Sequence, residues 1–383
     1  MRKNYLLTPG PTPLPPEVSQ VMGRPIIHHR TPQFQKILKE ASEGLKYVFQ
    51  TQNDVFIFAS SGTGAMEAAV VNLCSPNDKV ITVEAGKFGE RWTEICSSYR
   101  IDTEVINVEW GKAVNPENIR QKLKTDSKIK AVFTTLCETS TGVVNDIEAI
   151  GKIVKETDAV LVVDAISGLG AIDLKTDAWN CDVVVSGSQK GLMLPPGLGF
   201  ISVSKKAWNL IKIANCPRYY FDLIKAKEAL DKVDTPFTPA ISLIVALNES
   251  IKMIREEGLE NIFRRHRIMA EATRKAIKAM GLELFTSPEC ASDVVTAVKV
   301  PQGIDGEKLV KTMRDTYGVT IAGGQSELKG KIFRIAHMGY IEEFDIIVCI
   351  SCLEKVLYDM GYKFELGTGT KTLEEVFLEN KIL

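Results

Sequence analysis

The sequence predicts an α/β fold, with a large domain on a mostly parallel sheet wrapped by helices and a smaller C-terminal α/β domain. Three observations carry this expectation. Apolar runs of strand length alternate with longer amphipathic segments from about residue 54 to 203, the pattern of strands joined through crossover helices. Those runs are near-continuous in Val, Ile and Phe, as strands covered on both faces require. A chain of 383 residues also exceeds what one hydrophobic core usually organises, so two domains are expected.

In chain order, strands are expected at 55–59, 79–83, 131–135, 159–163, 183–186 and 199–203, where short Val/Ile/Phe runs are bounded by polar or turn residues. Helices are expected at 63–73 and 146–155, and from Pro32, between or ahead of those runs. The proline-rich DTPFTPA at 234–240 interrupts the alternation, and long helical stretches follow at 241–256 and 259–280. A smaller unit then mixes strands at 294–300 and 332–335 with helices at 306–317 and 342–360. The last segment, 361–383, reads as an appended tail with a short helix at 373–378. The expected division is 16–255 for the large domain and 1–15 with 256–383 for the small one.

Composition narrows the function. With 47 Lys+Arg against 48 Asp+Glu, the net charge of −1 leaves no field to pull the chain onto nucleic acid or an acidic membrane. Apolar residues at 45% and charged residues at 25% match an ordinary soluble chain and exclude a disordered one. Most of the eight cysteines lie in apolar stretches, as Cys74, Cys96, Cys137 and Cys181 do. Cys349 and Cys352 form a C-x-x-C without a second pair or a histidine partner, in a run with helical periodicity, so buried thiols are expected and no metal site. The chain reads as reduced and cytoplasmic. Its start, MRKNYLLTPGPTPLPP, has no segment of signal-peptide length, and the longest apolar run, AVLVV from Ala159, is far short of the ~18–20 residues that cross a bilayer.

Three stretches carry chemistry. In VVVSGSQKGLMLPPGLGF, 183–200, an apolar strand ends in Ser186, Gly187, Ser188 and Gln189, followed by Lys190 and a Gly/Pro-rich loop. Burial of such a lysine lowers its pKa and yields the neutral amine that can form a Schiff base; a plain strand-end lysine and a point charge for phosphate are the other readings. In LVVDAISGLG, 161–170, Asp164 closes an expected central strand, at the edge where open α/β sheets place ligands. A buried carboxylate there needs a cationic partner, although a helix N-cap is the plainer role. In FIFASSGTGAMEAAV, 56–70, a strand runs into Ser60, Ser61, Gly62, Thr63 and Gly64 and a helix follows at once. Glycines and the free N–H groups of a helix start favour a phosphate. The spacing lacks both the dinucleotide and the P-loop fingerprints, and a plain strand–turn–helix has the same residues.

The three parts complement one another. Pyridoxal 5'-phosphate needs a phosphate anchor, an acid that keeps its pyridine nitrogen protonated, and an amine for its aldehyde. With SGSQK, the VDA strand end, ETSTG (138–142) and KIFRIAHMG (331–339), the chain resembles the class V pyridoxal-phosphate aminotransferases of fold type I. The alanine–glyoxylate, serine–pyruvate and serine–glyoxylate enzymes are the nearest in kind, and the likeness runs from Leu7 to Gly339.

The resemblance implies roles. Lys190 matches the Schiff-base lysine and proton shuttle, Asp164 the partner of the pyridine nitrogen, and Ile166 the residue under the ring. Ser61, Gly62 and Thr63 match the phosphate turn, with Gln189 also reaching the phosphate. Thr139 matches the hydroxyl on the cofactor's phenolic oxygen, and Phe88, in AGKFGER, the aromatic stacked on the ring. Arg334 matches the arginine that grips the substrate α-carboxylate, and Gly10 lies in the N-terminal loop that folds over the site. The implied reaction moves an amino group from alanine or serine to glyoxylate or pyruvate by a ping-pong route, in a homodimer with sites at the subunit interface.

Departures mark where that transfer is weakest. Some relatives reach the neighbouring subunit's phosphate with a Tyr and a Thr; here the aligned positions are Asp234 and Phe237, with Thr235 or Thr238 as substitutes. Thr63 stands where close relatives carry His. The tail beyond Met360 has no counterpart. His28, His29 and Arg30 either line the entrance or, as the plainer reading has it, cap the helix from Pro32; His266, in RRHR, reads as a solvated face. A cysteine desulfurase or lyase would need a mobile-loop cysteine, and AGGQSELKGKIFR has none. Intact Lys190, Asp164 and Arg334 argue against a non-catalytic scaffold subunit of a larger complex.

Overall fold

The computed structural model describes residues 3–380. Its main sheet has seven strands: β1 (Val55–Phe58), β2 (Lys79–Glu84), β3 (Asp102–Asn107), β4 (Ile129–Thr135), β5 (Val160–Asp164), β6 (Val183–Gly187) and β7 (Gly199–Val203). Their order is β1-β7-β6-β5-β4-β2-β3. β7 runs antiparallel to both neighbours, and every other pairing in this sheet is parallel. Period-2 alternation sends Leu161 and Val163 of β5 into one core and Val160 and Val162 into another. Helices Pro32–Phe49, Ile147–Val154 and Ile241–Glu257 cover the first face, and Gly62–Leu73 with Lys87–Ser98 cover the second. Strand β3 is unforeseen. It is one of the two edge strands, and DTEVIN keeps only Ile106 fully buried, so it lacks a continuous apolar run.

A second, antiparallel sheet orders β8 (Val295–Lys299), β9 (Ala322–Gly323) and β10 (Ile332–Ala336) as β8-β10-β9. Its core joins Leu7 to Ile268, Met269, Phe333, Ile335 and Leu353. Tyr5 and Leu6 pair alongside Val319 and Thr320, which seats the N-terminal segment on this unit. The tail is more than an appendage. Helix Thr368–Asn380 packs on helix Leu259–Ala279 and buries Leu373, Val376 and Phe377. Buried Glu354 accepts hydrogen bonds from the Gly369 N–H (2.7 Å) and the Thr370 hydroxyl (2.9 Å), fixing where that helix starts. Cys349 and Cys352 are buried and unpaired, as expected. No helix among the described residues is long and apolar enough to cross a membrane.

His266 corrects the reading of RRHR as a solvated face. It is buried, its Nδ1 lies 2.7 Å from the Ile262 carbonyl and its Nε2 accepts the Gly339 N–H at 3.1 Å. The flanking arginines obscured the stripe Ile262, His266, Met269, Thr273, which is the buried face of this helix. His337 is buried too, between the Asp293 carbonyl and the Thr296 hydroxyl. Burial, reinforced by Arg274, pushes His337 down to about 3, and burial with Arg265 pushes His266 down as well. The unfolded chain therefore takes up these protons first, near its ordinary pKa of about 6.5. Stability is complete above that pH and is lost as pH falls toward 3. At pH 4.5 His337 is expected to cost about 2.6 kcal/mol relative to neutral pH, and His266 adds a loss of the same sign. Buried Asp164 titrates in the opposite sense, so urea unfolding is best compared between the native chain and His337→Gln. The variant should show the shallower acid loss; parallel pH curves would refute this account.

Candidate active site

Because β1, β2, β4, β5 and β6 are mutually parallel, their carboxyl ends share one edge of the sheet. The segments leaving that edge carry Ser61–Thr63, Phe88, Thr139, Asp164 and Gln189–Lys190. Topology alone thus brings together residues far apart in sequence.

Lys190 follows β6 in a loop with little freedom. The Ser188 hydroxyl donates to the Pro195 carbonyl (2.7 Å) and accepts from the Leu198 N–H (3.1 Å), and the Met193 N–H caps the Lys190 carbonyl at 3.0 Å. From the N-terminal loop, the Thr12 N–H reaches the Gln189 carbonyl (3.3 Å) and the Thr12 hydroxyl reaches the Lys190 carbonyl (3.2 Å). The Lys190 amine itself donates to the Pro9 carbonyl. Burial lowers its pKa to about 8, with Asp164 and Cys137 opposing. At pH 7.5 about a quarter of the amine is then neutral, against about one part in a thousand for an ordinary lysine.

Asp164 ends β5, buried, with Oδ1 accepting the Ile166 N–H at 2.8 Å. Burial pushes it up to about 7; the Ile166 bond and Arg91 oppose, and the Glu138 charge reinforces. No basic group of the described residues pairs with it. Such a carboxylate gains from any cation brought to it.

Across the same edge, Ser61 begins helix Gly62–Leu73 without using its side chain as a cap. A Cβ on Gly62 would meet Ile166 Cδ1 at 2.5 Å, so the turn and the residue after Asp164 are in contact. The Gln189 Oε1 lies by Gly187 and Gly62, buried and with no hydrogen-bond partner among the described residues. Such an atom signals a donor yet to arrive, or a side-chain amide turned to present its N–H₂ group.

Phe88 lies in the first turn of helix Lys87–Ser98, which Glu138 pins. The glutamate accepts from the Phe88 N–H (3.1 Å), the Gly89 N–H (2.9 Å), and the Ser140 N–H (3.2 Å) and hydroxyl. Next to it, the Thr139 hydroxyl meets the Ser167 hydroxyl at 2.7 Å, and the Thr139 carbonyl accepts Arg334 Nη1 at 2.8 Å. Arg334 is the middle residue of β10, opposite Ala297 and Ala322, whose small side chains leave it room. Its Nε and Nη2 both donate to the Gly323 carbonyl (3.1 and 2.8 Å). Of the five N–H donors of a guanidinium, one on Nη1 and one on Nη2 remain, the fork that fits a carboxylate. Burial lowers its pKa to about 10, and it stays charged at neutral pH.

Gly10 adopts φ +102°, and a Cβ there would fall 2.7 Å from Lys190 Nζ. Gly10→Ala is accordingly expected to displace the amine, and to cost about 1–2 kcal/mol of stability for the backbone conformation. Activity should fall far more than the modest drop in melting temperature accounts for; an active Gly10→Ala enzyme would show that the loop is free to withdraw.

Other predicted residues stay apart. Arg30 pairs with Asp234 at 2.7 Å, and the Thr235 hydroxyl donates to the Phe237 carbonyl at 2.8 Å. Thr31, rather than either histidine, caps helix Pro32–Phe49, and its hydroxyl donates to the His28 carbonyl. The sequence reading passed over Glu138 and Arg91. Arg91 lies one turn after Phe88 with its guanidinium 4.9 Å from that ring, and it donates to the Thr63 hydroxyl at 3.3 Å.

Residues 4–338 match the family model described as Aminotransferase class-V. The chain belongs to that family. As a class-V aminotransferase it is 45% identical over 379 residues to the soluble hydrogenase 42 kDa subunit of Anabaena cylindrica, covering 98% of this chain and 99% of that one. It is 38% identical to the L-aspartate–glyoxylate aminotransferase of Paracoccus denitrificans (97% and 96% covered). Identity to the serine–glyoxylate aminotransferase of Methylorubrum extorquens is 37% (99% and 97% covered). Among solved structures, the ureidoglycine–glyoxylate aminotransferase of Bacillus subtilis superposes with a TM-score of 0.95 at 32% identity, covering 99% of each chain. The class-V aminotransferase family implies pyridoxal 5'-phosphate. The residues present fit that group: a buried Gln189 amide whose oxygen has no partner and whose N–H₂, once turned, can donate beside an uncapped helix start, a carboxylate without a cation, and a partly neutral lysine.

Proposed function

We propose that this enzyme moves the amino group of alanine or serine to glyoxylate or pyruvate. The observation that carries the reading is the pairing of a buried, pKa-depressed Lys190 with a cation-free Asp164, facing an Arg334 whose unused donors form a carboxylate fork. When bound, pyridoxal phosphate supplies an aldehyde that takes an amine and a ring that accepts the electrons of a broken Cα–H bond. Ser61, Gly62, Thr63 and Gln189 would hold the phosphate, Phe88 and Ile166 would enclose the ring, and the Thr139 hydroxyl would meet its phenolic oxygen. Asp164 would keep the ring nitrogen protonated. Arg334 would fix the donor's carboxylate, leaving the Lys190 amine to take the Cα proton and return it. Gly10 closes the site over Lys190.

Further parts of the reading rest on neighbouring features. A homodimer is supported by the aromatic cluster from Phe58 and Phe221 to Tyr220 stacked on Phe237, which ends in exposed Tyr219. The division into 16–255 and 1–15 with 256–383 is supported by Leu7 in the core of the second unit, and a reducing, cytoplasmic setting by eight unpaired cysteines. A scaffold role has the hydrogenase-subunit name of the Anabaena relative behind it, but needs none of the buried ionisable groups. A desulfurase role would need an accessible loop cysteine, and all eight cysteines are buried.

The test is a stopped-flow screen of amino donors against the cofactor-loaded protein, followed by its visible absorbance. Alanine or serine should convert the cofactor band, and glyoxylate should restore it. Exclusive response to glutamate would overturn the donor assignment.

A further inference from the structure

Arg91 is a half-buried cation without a counter-charge: no carboxylate of the described residues lies within ion-pair distance of its guanidinium. Its neighbours are the Phe88 ring at 4.9 Å and the Thr63 hydroxyl at 3.3 Å. It is part of the site's electrostatics, pulling the pKa of Asp164 down and, after burial, that of Lys190. A guanidinium has donors only, so Thr63 Oγ1 is the acceptor in this contact. The single hydroxyl hydrogen of Thr63 is then free to point elsewhere. Around it, the N–H groups of Gly62 and Thr63 donate to no acceptor among the described residues, and Ser61 leaves the helix start uncapped.

We propose that Arg91 is a cofactor-binding residue: it supplies the positive charge of the phosphate cradle and fixes the Thr63 hydroxyl as a donor into it. The ligand chemistry is a phosphate monoester dianion. Without Arg91 the cradle offers only neutral dipoles to two negative charges. With it the cradle gains one full charge, and Thr63 is polarised by the guanidinium it accepts from. Phe88, whose ring the guanidinium faces at 4.9 Å, holds Arg91 at this edge. The assignment also bears on donor choice. An arginine committed to phosphate leaves Arg334 as the cation for the substrate, which suits a donor with a single carboxylate.

This inference rests on the pyridoxal-phosphate reading, and the experiment separates the two. The apoprotein is titrated with pyridoxal phosphate and with pyridoxal, which has the aldehyde but no phosphate, and the lysine-bound absorbance band is followed. The native chain must show that band; its absence would sink the cofactor reading and the inference with it. Given the band, Arg91→Gln should raise the Kd of pyridoxal phosphate about 10- to 100-fold while moving that of pyridoxal by less than about 2-fold. Arg91→Lys, which keeps the charge but loses the fork, should show a smaller shift with the same selectivity, and decides the matter should the glutamine variant fail to fold. Thr63→Val should cost less in the Arg91→Gln background than alone. Equal shifts for the two aldehydes, or none, would overturn the assignment. So would an unchanged Kd with a KM raised only for aspartate, which would make Arg91 a distal-carboxylate residue.

Discussion

Lys190→Ala should abolish the lysine-bound chromophore and slow transamination by about 10³-fold or more. The substitution removes the anchoring amine and the proton shuttle together, and general acid–base catalysis alone contributes about 10²–10⁴. Stability should move the other way. Lys190 is buried against the N-terminal loop, with its amine on one backbone carbonyl and its pKa lowered by desolvation. Replacing it with methionine, which keeps most of the volume, should leave the melting temperature of the apoprotein unchanged or raised, the usual trade between an active site and stability. Steady-state rates and thermal melts on the same preparations check both halves. A Lys190→Met protein that melts many degrees lower would mean the lysine is structural.

Asp164→Asn is expected to lower kcat/KM by about 10²–10³-fold, because the amide cannot hold a protonated ring nitrogen with an opposing charge. The apoprotein gives an independent readout. Burial raises the carboxyl to about 7, above its ordinary value near 4. In that interval the folded chain carries the extra proton, so this carboxyl makes the apoprotein less stable as pH rises from about 4 to 7. The asparagine variant lacks that loss. Denaturant titrations at pH 5 and pH 8, with and without cofactor, should show it, and cofactor should narrow the gap by giving the native carboxylate its cation. Equal pH dependence in the two apoproteins would contradict the assigned environment.

The parts of the site legible in sequence share one trait: each lies just past a buried strand. VVVSGSQK, LVVDA and FIFASSGTG announce themselves because a polar residue at the end of a fully apolar run is locally unusual, and parallel pairing brings such ends to one edge. Arg334 was legible for a related reason, a cation between Phe333 and Ile335 inside a core strand. What escaped depends on relations that no short window contains. Arg91 matters through contacts with Thr63 and Phe88, and in GERWTE it looks like any charge on an amphipathic helix. Glu138 is buried among N–H groups of a helix some 50 residues earlier in the chain. A look at i, i+3 neighbours of Phe88 would have raised Arg91, since both project from the same helical face.

The fold followed the same division. Strands buried on both faces were found to within a residue or two, whereas edge strand β3 was missed because half its surface meets water. His266 was misplaced because three nearby arginines outweighed the stripe it belongs to. The C-terminal segment read as an appended tail because the group that fixes the start of its helix, Glu354, lies on the preceding helix rather than beside it.

The most direct measurement is borohydride reduction of the cofactor-loaded protein, followed by peptide mapping by mass spectrometry. The label is predicted on the peptide containing Lys190, at that residue. A label on any other lysine, or no label from a protein that has taken up the cofactor, would contradict the account at its root.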